Sequence, residues 1–116
     1  MEKFKVINMG EVFVIDVNLI RSTVNEADEF REILKKEIVL RRANLVIDLS
    51  KCDYIDSTFF GAIIIALGMM KDVDKKLKVV IPINPREEIF VTTNTLKLFD
   101  LYETREEAIN SFKDSI

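Results

Sequence analysis

Residues 45–49 read Leu45-Val46-Ile47-Asp48-Leu49, apolar at successive positions with no alternation before Asp48. A strand with one wet face carries a polar residue at every second place, so this run predicts a central strand covered on both faces. Such a strand needs helices packed against it, and the flanking sequence supplies them. Upstream, Thr23 and Glu26 have the spacing of a capping box. Ala27, Phe30, Leu34 and Ile38 follow on one stripe, while Asp28, Glu29, Arg31, Glu32, Lys35 and Lys36 take the other side. This predicts an amphipathic helix ending near Arg41 and Arg42, whose charges suit its negative pole. Downstream, Ser57 to about Met70 predicts a second helix, and Leu77-Lys78-Val79-Val80-Ile81 another strand, stopped by Pro82.

The ends extend the pattern. Phe4-Lys5-Val6-Ile7, the turn residues Asn8-Met9-Gly10-Glu11, and the run Val12 to Val17 predict a hairpin. Asn84 and Glu87, with Pro85 at the favoured first helical position, predict a helix from Pro85 that fades near Thr92 to Asn94, with Leu96, Leu98 and Phe99 continuing it as a short turn. Leu101-Tyr102 predicts a brief edge strand. Thr104 and Glu107 open a last helix, with Ala108, Ile109 and Phe112 on its apolar side. Strands alternating with helices imply crossovers and a parallel sheet, which the opening hairpin makes mixed. The expected fold is therefore α/β: a mixed, mostly parallel β-sheet of four to five strands with about four helices.

A chain of 116 residues with no Gly/Ser/Pro-rich linker and no repeat reads as one domain over residues 1–116. The net charge of −3 gives nucleic acid no basic stripe. Lys75, Lys76 and Lys78 stand beside Asp72 and Asp74 and read as a solvated turn. There is no histidine, which removes every Ser-His-Asp or Cys-His arrangement and every His-containing metal site. Cys52 is the only cysteine, so no internal disulfide framework exists and a reducing compartment is the natural setting. Met1 to Lys5 resembles a strand start more than a signal peptide, and the uncharged stretch from Thr58 to Met70 falls short of the ~20 residues of a membrane span. These observations lead to the expectation of a soluble, cytoplasmic protein without metal or cofactor.

Chemistry concentrates at Asp56-Ser57-Thr58-Phe59-Phe60-Gly61, where a loop hands over to the second helix. A helix start offers free backbone amides and a partial positive charge, so a hydroxyl there can cap the helix and a phosphate can be held by the same donors. Spacing alone makes Ser57 a plain cap. The helix behind it is apolar nearly all round: Phe59, Phe60, Ile63, Ile64, Ile65, Leu67, Met69 and Met70. Gly61 and Gly68, seven apart, share a stripe that something could approach closely. Packing on the sheet is the plain explanation, but it leaves the apolar opposite side unaccounted for.

Leu45 to Ser50, then Tyr54-Ile55-Asp56-Ser57-Thr58, then Gly61, resembles the motif of anti-sigma factor antagonists of the STAS domain family. That motif is a buried strand ending in Asp-Leu-Ser, a short loop, and Asp-Ser-(Ser/Thr)-Gly-hydrophobic-Gly opening an apolar helix. The resemblance covers nearly the whole chain in element order and is specific at residue level from Leu45 to about Leu67. It implies that Ser57 is phosphorylated by a partner that is both anti-sigma factor and serine kinase, with Thr58 the neighbouring hydroxyl and Asp56 the preceding acid. It further implies partner switching: the unmodified protein binds the anti-sigma factor, phosphorylation releases it, and a serine phosphatase restores binding. Asp53, Asp56, Ser57, Thr58 and Phe59 are the expected partner-binding residues. The chain departs from the motif in two places. Phe59 replaces its first glycine, and Asn18-Leu19-Ile20-Arg21 stands where the family often has Gly followed by Asp.

Two rival readings use the same residues. Asp48, Asp53 and Asp56 could form a magnesium site resembling that of a receiver domain, but Met9 and Gly10 stand where its acidic pair belongs. Alternatively, the chain is a non-phosphorylated STAS scaffold or a transport-associated subunit, against which the intact Asp56-Ser57-Thr58 argues. No catalytic group stands out, so the expectation is a kinase substrate and not an enzyme, with no direct nucleic-acid or membrane partner. Its apolar helix face could also self-associate.

Overall fold

A computed structural model describes residues 2–81 and 99–113. Strands β1 (Phe4–Asn8) and β2 (Val12–Val17) form the expected antiparallel hairpin, in register from Phe4 opposite Val17 to Asn8 opposite Phe13. Its turn needs Gly10, whose φ of +84° lies in the left-handed region, and Asn8 Oδ1 accepts the Gly10 amide at 3.1 Å. A two-residue strand, β3 (Arg21–Ser22), leads into helix α1 (Val24–Arg41). The capping box closes as predicted. The Thr23 hydroxyl accepts the Asn25 amide at 3.2 Å, and Glu26 Oε1 reaches back to the Thr23 amide at 3.0 Å. Arg42 ends the helix in the left-handed region, donating its amide to the Ile38 carbonyl at 3.1 Å.

Then come β4 (Asn44–Asp48), the short β5 (Tyr54–Ile55), helix α2 (Ser57–Asp72), β6 (Leu77–Val80), β7 (Asp100–Tyr102) and helix α3 (Arg105–Lys113). Five strands make one sheet in the order β1-β2-β4-β6-β7, parallel throughout except for β1. The fold is thus α/β with a mixed, mostly parallel sheet, as the sequence predicts. Three helices lie among the described residues. The helix expected from Pro85 to about Asn94, with its Asn84–Glu87 cap, lies outside them, as do Pro82, Leu96 and Leu98. Phe99 is described and is not helical: it is a buried bend before β7, its ring edge-on to Phe60 at 5.6 Å.

The absence of alternation in β4 has the predicted cause, and β2 shares it. Phe13, Ile15, Val17, Leu45, Ile47, Leu77 and Val79 face α1 and α2, meeting Phe30, Leu34, Ile38, Ile63 and Met70. The intervening Val12, Val14, Val46 and Val80 face α3 through Ala108, Ile109 and Phe112. The steps from β2 to β4 and from β4 to β6 run the same way along the sheet. Crossovers of one hand therefore place α1 and α2 on the same face. On the other face Lys78 is buried beneath α3, its Nζ 2.5 Å from Ser111 Oγ and 4.1 Å from the centre of the Phe112 ring. None of the described helices is long and apolar enough to cross a membrane.

Candidate functional site

The loop from Leu49 to Asp56 carries Asp53 and Asp56 and leads to Ser57, Thr58 and Phe59 at the start of α2, and backbone bonds hold it along its length. The amides of Asp53 and Tyr54 both donate to the Ile20 carbonyl, at 2.6 and 3.1 Å, and the Asp56 amide donates to the Ser22 carbonyl at 3.0 Å. Between these bonds β3 and β5 pair in parallel, Arg21 opposite Tyr54 and Ser22 opposite Ile55. The Arg21 guanidinium lies 4.4 Å from the centre of the Tyr54 ring, an exposed cation–π contact. A two-residue ladder has no periodicity to read, so these strands went unpredicted. They are what brings the start of α1 beside the start of α2.

Asp56 is where the two helices meet. Its Oδ1 accepts the Phe59 amide at 2.8 Å and caps α2, while its Oδ2 accepts the Val24 amide at 2.7 Å in the first turn of α1. One carboxylate thus serves two helix N-termini, where a negative charge is favoured. This corrects the expectation that Ser57 is the cap. Asp56 fills that role, and Ser57 is the first helical residue, with its side chain exposed beside that of Thr58. Asp53 is exposed on the same loop.

Phe59 goes the other way. It is fully buried and stacks face to face on Phe30, with ring centroids 4.4 Å apart and planes 1° apart, while Phe4 stacks on Phe30 at 5.1 Å. It is therefore withdrawn from the expected partner-binding set: a side chain with no exposed surface cannot touch a partner docked on α2. The remaining four, Asp53, Asp56, Ser57 and Thr58, stand together at one end of the molecule.

From Ser57 an open stripe runs down α2 through Gly61 and Ile65 to Gly68, with Ile65 57% exposed. A Cβ built on Gly61 or Gly68 would meet no atom of the described residues within 4 Å. The glycines therefore do not pack closely against the sheet, and the stripe they share faces outward. Ile20 and Val24, 70% and 58% exposed, add apolar surface from the neighbouring chain segment.

Asp48, which the magnesium reading would use, is the last residue of β4 and is already engaged. Its Oδ1 accepts the Ser50 amide at 2.9 Å, and its Oδ2 lies 2.9 Å from both Nε and Nη2 of Arg105. Asp16, its register partner on β2, has Oδ2 3.1 Å from Lys51 Nζ. Asp16 Oδ1 stands 3.2 Å from Arg105 Nη2, a charge contact without hydrogen-bond alignment. Burial works against the Arg105 cation, but Asp48 and then Asp16 outweigh it and raise its pKa above the ordinary guanidinium value. Sequence reading missed this cluster because its members lie far apart in the chain. The charge at Asp48 within an apolar run was the one local signal. Nearby, Cys52 is buried against Ser22 Oγ at 3.4 Å. Burial pushes its thiol up to about 11, against the lowering effect of the Ser22 contact and with added repulsion from Asp48 and Asp16. Among the described residues, no group of three or more acidic, Cys or His side chains could hold a metal ion.

Comparison with known proteins bears on this arrangement. The family model of the STAS domain matches residues 10–108. An anti-sigma factor antagonist from Mycobacterium paratuberculosis superposes with a TM-score of 0.79 at 20% identity, over 93% of this chain and 91% of the other. The anti-sigma factor antagonist SpoIIAA in its unphosphorylated form superposes with a TM-score of 0.78 at 14% identity, over 97% and 98% of the two chains. Bacillus SpoIIAA in its phosphorylated form gives 0.68 at 16% identity, over 94% and 98%. No curated protein sequence matches the chain.

Proposed function

The chain belongs to the STAS domain family, and from that premise we propose that it is an anti-sigma factor antagonist switched by phosphorylation of Ser57. Unmodified, it captures an anti-sigma factor that carries serine kinase activity, through Asp53, Asp56, Ser57, Thr58 and the open stripe of α2. Phosphorylation of Ser57 by that kinase ends the complex, and a serine phosphatase resets it. The protein acts as the kinase's substrate in the cytoplasm, and neither nucleic acid nor membrane is a direct partner.

One observation carries this reading: Ser57 is exposed as the first residue of α2, and Asp56 does the capping in its place. The hydroxyl is therefore available for modification without loss of a cap. A phosphate would bring about −1.5 to −2 charges beside Asp56 and Asp53. Like-charge repulsion and desolvation would oppose a partner docked there, while the positive end of the helix keeps the charge tolerable to the fold. Binding is then lost without unfolding.

The test is intact-mass measurement after incubation with ATP and each candidate anti-sigma kinase of the same organism, beside a Ser57→Ala control. One phosphate added to the wild type and none to the control is the expected result. No addition from any candidate would move the assignment to a non-phosphorylated STAS scaffold or transport-associated subunit.

A further inference from the structure

Asp48 ends β4, Asp16 is the next-to-last residue of the adjacent parallel β2, and both project from the same sheet face, the one α3 covers. Strands in a sheet lie about 4.8 Å apart, so the two carboxylates repel each other unless a cation bridges them. Arg105, the first residue of α3, is that cation: its planar fork meets Asp48 through two nitrogens and Asp16 through one.

The oxygens turned away from Arg105 hold the loop that leads to Ser57. Asp48 Oδ1 fixes the Ser50 amide, Asp16 Oδ2 fixes Lys51 Nζ, and Lys51 also reaches Asn18 Oδ1 at 2.7 Å. Beyond Lys51 the chain passes through buried Cys52, the two amides on Ile20, the β3–β5 pairing and the double cap at Asp56. A series of hydrogen bonds, joined by the covalent chain of the loop, therefore runs from α3, on one face of the sheet, to the start of α2 on the other. We propose that Arg105 is a positioning residue for Ser57: by bridging Asp16 and Asp48 it sets the 49–56 loop that presents the hydroxyl. The term positioning rests on the reading of Ser57 as a phosphate acceptor, but the coupling is a property of the unmodified protein.

Hydrogen exchange on the full chain, without kinase, tests it. In Arg105→Met the amides of Ser50, Asp53, Tyr54 and Asp56 should exchange at least about tenfold faster, the ratio that about 1.4 kcal/mol of lost local stability produces, with the β1–β2 hairpin unchanged. Phe112→Ala, which loosens α3 without touching the carboxylates, should speed exchange in α3 and leave the loop as it was. Adding Lys51→Met to Arg105→Met should open the loop by less than the product of the two single effects, because both act through Asp16. If Arg105→Met does not fold, Arg105→Lys keeps the charge without the fork and should open the loop by a smaller factor. Unchanged loop exchange in the folded Arg105 variant, or equal opening in Phe112→Ala, would overturn the proposal. Either result leaves phosphorylation of Ser57 to be decided by the mass assay.

Discussion

The carboxylate of Asp56 accepts the amide of Val24 at 2.7 Å across a separation of 32 residues, and with its other oxygen it caps α2. Among the described residues, the two helices on one face of the sheet are thus tied at their N-termini by a single side chain, one residue before the candidate phosphate acceptor.

Replacing Asp56 removes both bonds. A cap is worth about 1 kcal/mol and a hydrogen bond to a charged group about 1.5–3. Asp56→Ala should therefore lower the unfolding free energy by about 2–3 kcal/mol in urea titration, and Asp56→Asn by less. A loss below about 0.5 kcal/mol would show that solvent replaces the carboxylate at both helix ends.

Ser57→Ala should behave oppositely. Because Asp56 is the cap, the exchange at Ser57 should shift stability by no more than about 0.5 kcal/mol, the usual range for an exposed position. A loss near 1 kcal/mol in the same titration would restore Ser57 to the capping role.

Phe59→Gly puts the family's glycine back into the motif. In this chain it also deletes the stacking partner of Phe30 from a site with no exposed surface. Large aromatic truncations in cores cost about 3–5 kcal/mol, and the glycine adds a backbone penalty of up to ~1. A drop of at least about 3 kcal/mol is expected. A near-neutral result would mean the surrounding core collapses into the space.

The Cys52 thiol predicts a pH dependence. Its folded pKa of about 11 lies above the unfolded value near 9.0, so the folded state retains the proton longer. The stability this contributes is complete below pH 9 and is lost as pH rises towards 11. Two units correspond to about 2.7 kcal/mol at most. The difference in unfolding free energy between the wild type and Cys52→Ala should shrink over that window, with Lys and Tyr titrations cancelling in the comparison. A difference independent of pH would show that the thiol does not ionise on unfolding there. Thiol-reactive reagents should label native Cys52 slowly at pH 8.

Lys78 is buried with a hydroxyl and aromatic rings as its partners. Desolvating an ammonium is costly, and an apolar side chain of similar length fits between the same rings. Lys78→Met should raise the unfolding midpoint, by about 1–2 kcal/mol in free energy. A loss of similar size would show that the bond to Ser111 outweighs the desolvation.

The stretch that resembles the STAS motif is readable as a unit because residues close in sequence form it. Asp56, Ser57 and Thr58 are contiguous, and a helix start places them together whatever the rest of the molecule does. The roles within that triplet were not legible. Asp and Ser cap helices almost equally well, so only the observed backbone shows that Asp56 is N-cap and Ser57 the first helical residue. Phe59 was misassigned for a related reason. Its position in the motif suggested surface, but helix rotation turns that residue inward towards Phe30.

Local sequence patterning by itself determined the α/β class, the buried central strand, the capping box at Thr23, and the entry to a second helix near Ser57. Periodicity and capping chemistry act over a few residues, so they can be read in one dimension. The tertiary structure alone decided that Asp56 joins α1 to α2, that Gly61 and Gly68 face outward, and that Arg105 bridges Asp16 and Asp48. The two polar links join groups remote in sequence that only strand pairing brings together, and the orientation of the glycines depends on how α2 is rotated against its neighbours; no local pattern encodes either.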